Sequence, residues 1–171
     1  ICSGRTAITT LWPTAWPRSL IASAHVGGEL AHKLKFAGWD FVIIEGEAKS
    51  PVYLYIHNEK VEIRDASAAW GQGTRRSAEV LAKETTPEAS FGVIGQAGEN
   101  LVPMSNMMVD KSHSAGGLGS VMGKKHLKGI VVYGNQAIHI HADPKEWEEL
   151  IDSHRKILGA HTHSILSLIH I

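Results

Sequence analysis

Apolar side chains recur every three to four residues in several stretches, which is the spacing of one face of an α-helix. The segment 28–38 places four apolar residues on such a face and ends on a glycine, a natural helix stop. Segments 73–85 and 118–126 show shorter versions of the same pattern. The clearest helix covers 143–158, where Asp143 is a good N-cap and precedes a proline suited to the first helical position.

Other stretches have the patterns of strands. Residues 41–44 form a continuous apolar run, which predicts a strand buried on both faces. Residues 52–56 are also apolar throughout, while 61–64 alternate between apolar and charged side chains. The connector 57–60 suits a hairpin turn, so the second of these strands is predicted to have one wet face. Three more strands are predicted at 90–95, 128–134 and 137–143.

Two parts of the chain resemble each other. "HVGGELAHKLKFAGWDFVIIEG" (25–46) and "HSAGGLGSVMGKKHLKGIVVYG" (113–134) each begin with a histidine, small residues and a glycine pair. Each continues as a short helix pattern, a β-branched strand and a glycine. This predicts an internal duplication of a loop–helix–strand unit. Two such units about a pseudo-twofold axis would present their backbone N–H groups to one shared groove.

The glycine pairs also have a simpler interpretation, since many such pairs only make tight turns or close helix–sheet packing. Neither loop matches a known phosphate fingerprint. "GGLGSVMGKK" has no Ser or Thr after its lysine and lacks the dinucleotide-binding glycine spacing. The residues alone therefore leave open whether these loops bind an anion.

The composition limits the function classes. The 171 residues are enough for one good-sized domain, and 43% hydrophobic with 20% charged residues is an ordinary globular mixture. Lys+Arg 17 balances Asp+Glu 17, which gives no electrostatic case for nucleic acid or an anionic membrane surface. No apolar run approaches the roughly 20 residues of a membrane span. Cys2 is the single cysteine, so a reducing cytoplasm is the simplest location.

Both ends of the chain look unusual. It begins at Ile1 and not at methionine, which is typical of the middle of a longer protein. From Gly159 onward the sequence has neither helical nor strand periodicity and carries a high share of histidine. We therefore expect a domain over residues 1–158, truncated at its start, and a non-native or disordered tail over 159–171.

Three ordered motifs resemble one protein family. They are "ELAHKLKFAGWDFVIIEGEAKSPVYLYIHNEKVEIRDASAAWG", "IGQAGENLV" and "GGLGSVMGKKHLKGIVV". Together they are similar to the N-terminal domain of the aldehyde ferredoxin oxidoreductase family, and the similarity runs from Cys2 to Leu158. The family consists of tungsten or molybdenum bis-pyranopterin enzymes with an iron–sulfur cluster. The resemblance implies an α+β fold in which two β-rich halves with short helices are related by an approximate internal duplication. It also implies that the domain is a base for the pterin.

The resemblance also implies the site residues. The family's early arginine is matched by Arg5, whose guanidinium can bind phosphate oxygens in a fork. The cofactor-binding candidates carried over from the two glycine loops are His25, Gly27, Gly28, His113, Ser114, Gly116 and Gly117. The second loop departs from the family pattern, because no arginine lies between Lys111 and Gly116. Only backbone and small polar donors are therefore expected there.

The resemblance implies that the whole enzyme oxidises aldehydes to carboxylic acids and passes electrons to ferredoxin or an iron–sulfur subunit. The ligands of the 4Fe-4S cluster and the catalytic groups would lie in later domains, so no catalytic or metal-ligating residue is expected here and the fragment alone would be inactive. A homo-oligomer of the full-length enzyme fits the same picture. The resemblance leaves open which substrate the enzyme uses and whether its metal is tungsten or molybdenum.

Two rival interpretations remain at this point. A stand-alone anion- or nucleotide-binding module without redox activity would explain the glycine loops but not the ordered motifs. A degenerate paralogue kept as a structural partner is the other.

Among isolated candidates, Cys2 is expected to be a packing residue. His139 and His141 alternate on one strand face, but with no third ligand they are expected to face solvent.

Overall fold

The computed structural model of the protein describes residues 5–15, 17–18, 20–110, 113–138 and 142–160. These residues fall into two compact units, with the boundary between Ala137 and Ile138. Among them, no helix has both the length and the apolar character needed to cross a bilayer.

The first unit combines short helices with strands. In chain order its elements are β1 (Thr6–Trp12), β2 (Leu20–Val26), α1 (Leu30–Phe36), β3 (Val52–His57), β4 (Lys60–Asp65), α2 (Thr74–Glu84), β5 (Ser90–Ile94), α3 (Gln96–Glu99), β6 (Met107–Val109), β7 (His113–Ala115), α4 (Gly119–Lys124) and β8 (Leu127–Tyr133). The second unit contains α5 (Pro144–Ala160). The α+β class expected from the sequence is confirmed.

The strands form two sheets. β1 and β2 make an antiparallel hairpin, and the other strands form a six-stranded sheet in the order β4-β3-β8-β5-β6-β7. β3 and β8 pair in parallel at the centre, and the remaining pairs are antiparallel. The sheet is therefore mixed, and both of its central strands are flanked by partners on each side.

Apolar side chains pack on both faces of the six-stranded sheet. Leu54 and Ile56 of β3 join one buried cluster, and Tyr53 and Tyr55 join another. Successive side chains of a strand point to opposite faces, so a strand covered on both sides is apolar at every position. This explains the continuous apolar run of β3, which the sequence predicted as a strand.

The β3–β4 hairpin is also confirmed, and its turn places Asn58 at φ 54°. The solvent-exposed face of β4 carries its apolar side chains, whereas the alternation suggested the charged ones. Val61 and Ile63 are 46% and 74% exposed, whereas Glu62 and Arg64 are half-buried. β4 is an edge strand of the sheet, and its charged side chains find polar partners on the face that is partly covered.

The strand predicted at 41–44 is wrong. Phe41 and Ile43 are 71% and 74% exposed, and the segment has no strand pairing. Hydrogen bonds hold the chain on both sides of this segment. Before it, the Trp39 indole donates to the Asn58 carbonyl at 2.9 Å, and after it the Ala48 N–H donates to the Lys125 carbonyl at 3.1 Å. Both edges of β3 are already paired with β4 and β8, so this segment does not pair with β3.

The two glycine segments share local backbone features. Gly28 and Gly117, the second glycine of each pair, have φ of 90° and 71°. A short helix follows each pair, and each helix is followed by a left-handed residue, Gly38 at φ 92° and His126 at φ 53°. The correspondence ends there, because α4 leads into β8 whereas α1 leads into the unpaired segment.

The helix α5 of the second unit is the one that the sequence predicted from its N-cap residue. The Asp143 carboxylate accepts hydrogen bonds from the N–H groups of Lys145 at 2.9 Å and Glu146 at 3.2 Å, so Asp143 is the N-cap. Ala137 and Ile138, from the last predicted strand, are in no strand. The rest of that prediction, including His139 and His141, and residues 161–171 of the predicted tail lie outside the described residues.

Candidate functional site

The β1–β2 hairpin carries two of the predicted site residues on one exposed face. Its pairing sets Ala7 opposite His25 and Thr6 opposite Val26, and Arg5 and Gly27 are the residues directly beyond this last pair. Ile8 and Ala24 pack towards the core, and alternation then turns Arg5 and His25 to the opposite, exposed face. The sequence analysis predicted neither strand, although β1 is rich in β-branched residues.

The exposed face of the hairpin changes character along its length. Next to the Ala7–His25 pair, the hydroxyl groups of Thr9 and Ser23 lie 2.7 Å apart and form a hydrogen bond. Beyond them, Leu11 and Ile21 are 58% and 74% exposed. The Arg5 end of this face is therefore polar, and the turn end is apolar.

The second glycine loop lies against the same hairpin. β7 packs beside β2, and the ring of His113 fills the space next to Gly27. A Cβ added to Gly27 would lie 2.6 Å from His113 Cδ2, closer than real Cβ atoms approach a heavy atom. The missing side chain at Gly27 thus lets the two predicted loops come into contact.

Gly117 brings the other end of the second loop onto β1. Besides its positive φ, a Cβ at Gly117 would lie 2.5 Å from the ring of Trp12, the last residue of β1. Trp12 in turn packs against the core. The second loop therefore runs from His113, beside Gly27, to Gly117, beside Trp12, along the length of the hairpin.

Asp110 connects the two loops, and the sequence analysis did not single it out. One carboxylate oxygen accepts the N–H of Glu29, directly after the first glycine pair, at 2.8 Å. The other accepts the Ser90 hydroxyl at 2.7 Å and the Phe91 N–H at 3.2 Å. The sequence feature that could have identified Asp110 is its position, as an acidic residue between the hydrophobic β6 and the second loop.

The predicted residues do not all lie where loops were expected. His25 is in β2, and His113 and Ser114 are in β7, so these side chains come from strands. Arg5, His25, Gly27 and His113 gather at one end of the hairpin. Gly28 adjoins this cluster against Asp110, Ser114 is exposed on β7, and Gly116 and Gly117 lie at the other end of the second loop. Cys2 lies outside the described residues.

The donor set at this surface fits an anionic, polar ligand. A guanidinium, two imidazoles and several hydroxyl groups lie beside two backbone segments with left-handed glycines. In the described part of the chain, the buried hydroxyl groups of Thr6 and Ser120 have no hydrogen-bond partner, and alternation along β1 places Thr6 on the core face of the hairpin with Ile8. Such orphaned hydroxyls are groups that a ligand or bound water satisfies. The described residues hold no cluster of three or more His, Cys, Asp or Glu side chains suited to a metal ion.

Comparison with known proteins gives a consistent result. Residues 1–134 match the family model "Aldehyde ferredoxin oxidoreductase, N-terminal domain". The chain is 46% identical over 134 residues to a tungsten-containing aldehyde ferredoxin oxidoreductase of Pyrococcus abyssi. It is 40% identical over 130 residues to the WOR-like subunit of an aliphatic sulfonate oxidoreductase of Pyrococcus furiosus. The resemblance noted in the sequence is confirmed.

A solved structure shares the fold. The active-site complex BamBC of benzoyl coenzyme A reductase, determined with 1,5-dienoyl-CoA, superposes with a TM-score of 0.84 and 38% sequence identity. The similarity covers 94% of this chain and 24% of that one. The alignments cover 77% of this chain but 22% of the Pyrococcus abyssi relative, and 67% of this chain but 21% of the Pyrococcus furiosus subunit.

Proposed function

Because the chain belongs to the aldehyde ferredoxin oxidoreductase family and matches its N-terminal domain, we propose that it binds the pterin cofactor of a tungsten oxidoreductase. The observation that carries this proposal is the contact of the two glycine loops, with His113 packed on Gly27 at the end of the hairpin that Arg5 precedes. The proposed groove between the hairpin and the second loop would be the base on which the cofactor lies. The proposed domain covers residues 1–158.

Each part of the groove has a role suited to its chemistry. Arg5 would pair its guanidinium with phosphate oxygens, since its planar fork matches their geometry. The glycine pairs 27–28 and 116–117 would offer backbone N–H groups, and His25, His113 and Ser114 would donate to the polar edges of the ligand. Without an arginine between 111 and 116, Arg5 is the arginine proposed to pair with the phosphate oxygens.

The whole protein is proposed to oxidise an aldehyde with water to a carboxylic acid, releasing two protons and two electrons. A bound tungsten pterin supplies the two-electron redox chemistry, and the chain described here binds and orients that group. A 4Fe-4S cluster held by later domains would pass the electrons to ferredoxin or to an iron–sulfur subunit, in the cytoplasm. Molybdenum is the alternative metal, and the name of the relative from an aliphatic sulfonate oxidoreductase indicates a different substrate class among similar proteins.

The test is cofactor loading of the full-length protein, purified from a host supplied with tungsten. Arg5→Ala and Gly117→Asp should each lower the tungsten and pterin content per chain. Arg5→Ala removes the phosphate-pairing charge, and Gly117→Asp puts a side chain onto a left-handed position that also contacts Trp12.

Two control variants account for the loss of an arginine and for the strain of a left-handed side chain. Arg75→Ala removes an exposed arginine of α2, and Gly71→Asp imposes the same left-handed strain (φ 78°) where a Cβ meets no atom within 4 Å. Both should load cofactor like the unsubstituted protein. Equal loading in all four variants would remove the proposed site. A protein that binds phosphate or nucleotide but no pterin would support the stand-alone module.

A further inference from the structure

We propose that Asp110 is a positioning residue that holds the two glycine loops at a fixed separation for cofactor binding. The inference rests on the proposed function, because it concerns the same groove. Asp110 ends the strand segment before the second loop, and its carboxylate reaches the residue that follows the first glycine pair.

The two oxygens of Asp110 have separate tasks. Oδ1 accepts from the Ser90 hydroxyl and the Phe91 N–H, and both donors belong to β5. Oδ2 accepts from the Glu29 N–H, at the start of α1. The carboxylate thus fixes the first loop relative to β5, a strand near the centre of the sheet.

The backbone of Asp110 is held as firmly as its side chain. Its N–H donates to the Phe91 carbonyl at 2.7 Å, and its φ of 52° is left-handed, a region that Asp and Asn tolerate better than most residues. The next described residue, His113, packs against Gly27. A change in the position of Asp110 would therefore move both sides of the groove.

The glycine at position 28 makes room for this carboxylate. A Cβ on Gly28 would lie 2.5 Å from Asp110 Oδ2 and 2.9 Å from Val109 Cγ1. Its φ of 90° also requires glycine. The first glycine pair therefore has two functions in the fold: Gly27 admits the His113 ring, and Gly28 admits the Asp110 carboxylate.

Asp110→Asn separates the two tasks. The side-chain amide has one oxygen and one NH₂ group, and only the oxygen can accept a hydrogen bond. With its oxygen placed towards Ser90 and Phe91, two bonds are kept and the NH₂ group faces the Glu29 N–H, so two donors meet. Asparagine also keeps the left-handed backbone, so the variant should fold while losing the link to the first loop.

The experiment uses the full-length protein and two readouts. Tungsten and pterin retention after gel filtration should fall about tenfold in Asp110→Asn, the size of effect typical when a group supporting a ligand shell is removed. In protein prepared without tungsten, hydrogen exchange of the Glu29 amide should speed up about tenfold, while the Phe91 amide stays protected. Ser90→Ala should leave both the Glu29 exchange and the cofactor retention unchanged.

Asp65→Asn is the matched control, since Asp65 also divides its two oxygens between nearby donors, the hydroxyl and the N–H of Ser67. Unchanged Glu29 exchange in Asp110→Asn would overturn the positioning role, as would an equal loss of cofactor in Ser90→Ala or Asp65→Asn. If the unsubstituted protein binds no pterin, the proposed function fails by itself, and the exchange readout still decides whether Asp110 fixes the loops.

Discussion

Single glycines set how closely the backbone segments behind the second loop approach. A Cβ on Gly123 would lie 1.9 Å from the Gly98 carbonyl oxygen, and one on Gly98 would lie 2.9 Å from the Gly119 carbonyl oxygen. These neighbours are backbone atoms, which cannot rotate away as a side chain would. The packing of α3 on α4, and with it the support of the loop before α4, depends on the absence of side chains at these positions.

We expect Gly123→Ala to lower the free energy of unfolding by about 3 kcal/mol, because overpacking against fixed backbone forces α3 and α4 apart. Urea denaturation of the purified protein measures this. Gly73→Ala is the control: its Cβ meets no heavy atom within 4 Å, and the change should cost less than about 1 kcal/mol. Equal stabilities of the two variants would contradict the close approach of the helices.

At the scale of an element, the edge strand β4 is stabilised by charged side chains on one face. Glu62 lies between Lys60 and Arg64, with ion pairs of 2.7 Å and 2.6 Å. Arg64 also stacks over the Tyr55 ring, with its guanidinium carbon 4.3 Å from the ring centre. Charged edges resist pairing with other chains, which offsets the exposure of Val61 and Ile63.

This arrangement gives β4 a defined pH dependence. The hydrogen bond from Lys60, and then that from Arg64, holds the pKa of Glu62 below its usual 4.5. A lowered carboxyl pKa contributes stability above pH 4.5 that is lost as the pH falls through the folded value. The stability difference between the unsubstituted protein and Glu62→Gln should therefore shrink between pH 7 and pH 3, as urea denaturation can measure.

An NMR titration of the Glu62 side chain checks the same point directly, and its midpoint should lie below 4.5. Glu59→Gln, in the exposed turn of the same hairpin, serves as the control for the loss of one carboxylate. A stability difference for Glu62→Gln that stays constant across this pH range would show that the ion pairs do not stabilise the strand.

At the scale of the whole first unit, a buried ion pair joins the sheet to the segments beside it. Lys128 of β8 is fully buried and pairs with Glu99 of α3, whose side chain is 5% exposed. The Lys128 ammonium also donates to the Gln72 carbonyl at 3.0 Å, and Glu99 accepts the Gly71 N–H at 2.9 Å. Burial lowers the pKa of Lys128, and Glu99 opposes that shift.

We expect Glu99→Gln to lower the free energy of unfolding by roughly 3 kcal/mol, because it leaves the Lys128 charge buried without its partner. Lys128→Met combined with Glu99→Gln should be more stable than Glu99→Gln alone, since the double variant buries no charge. A double-mutant cycle by urea denaturation measures the coupling. Additive effects of the two changes would contradict a direct interaction.

Helices, strands and turns could be predicted from the sequence where their conformation depends only on residues close in the chain. The hairpin turn at Asn58, the cap at Asp143 and the left-handed Gly38 follow from residue chemistry within a few positions. The prediction of a strand at 41–44 was wrong because an apolar run does not by itself supply a partner strand, and this segment pairs with none. The β1–β2 hairpin was missed, so the surface that carries Arg5 and His25 was not expected as a sheet.

The candidate site was predictable only in part. The glycine pairs and Arg5 were found from motif and resemblance, but nothing in their spacing placed His113 against Gly27 or Gly117 against Trp12. Asp110 was overlooked because its three donors come from Glu29, Ser90 and Phe91, which are remote from it in the chain. Contacts of this kind depend on how the strands associate.

The sequence by itself determined the family, the α+β class and the two glycine segments, because each depends on residue identity and short-range periodicity. The tertiary structure alone decided that these segments meet. It did so by laying β7 beside β2, by filling the space next to Gly27 with an imidazole, and by joining the loops through one carboxylate. The physical reason is that backbone conformation follows from local sterics, whereas a groove is formed by strand pairing between distant parts of the chain.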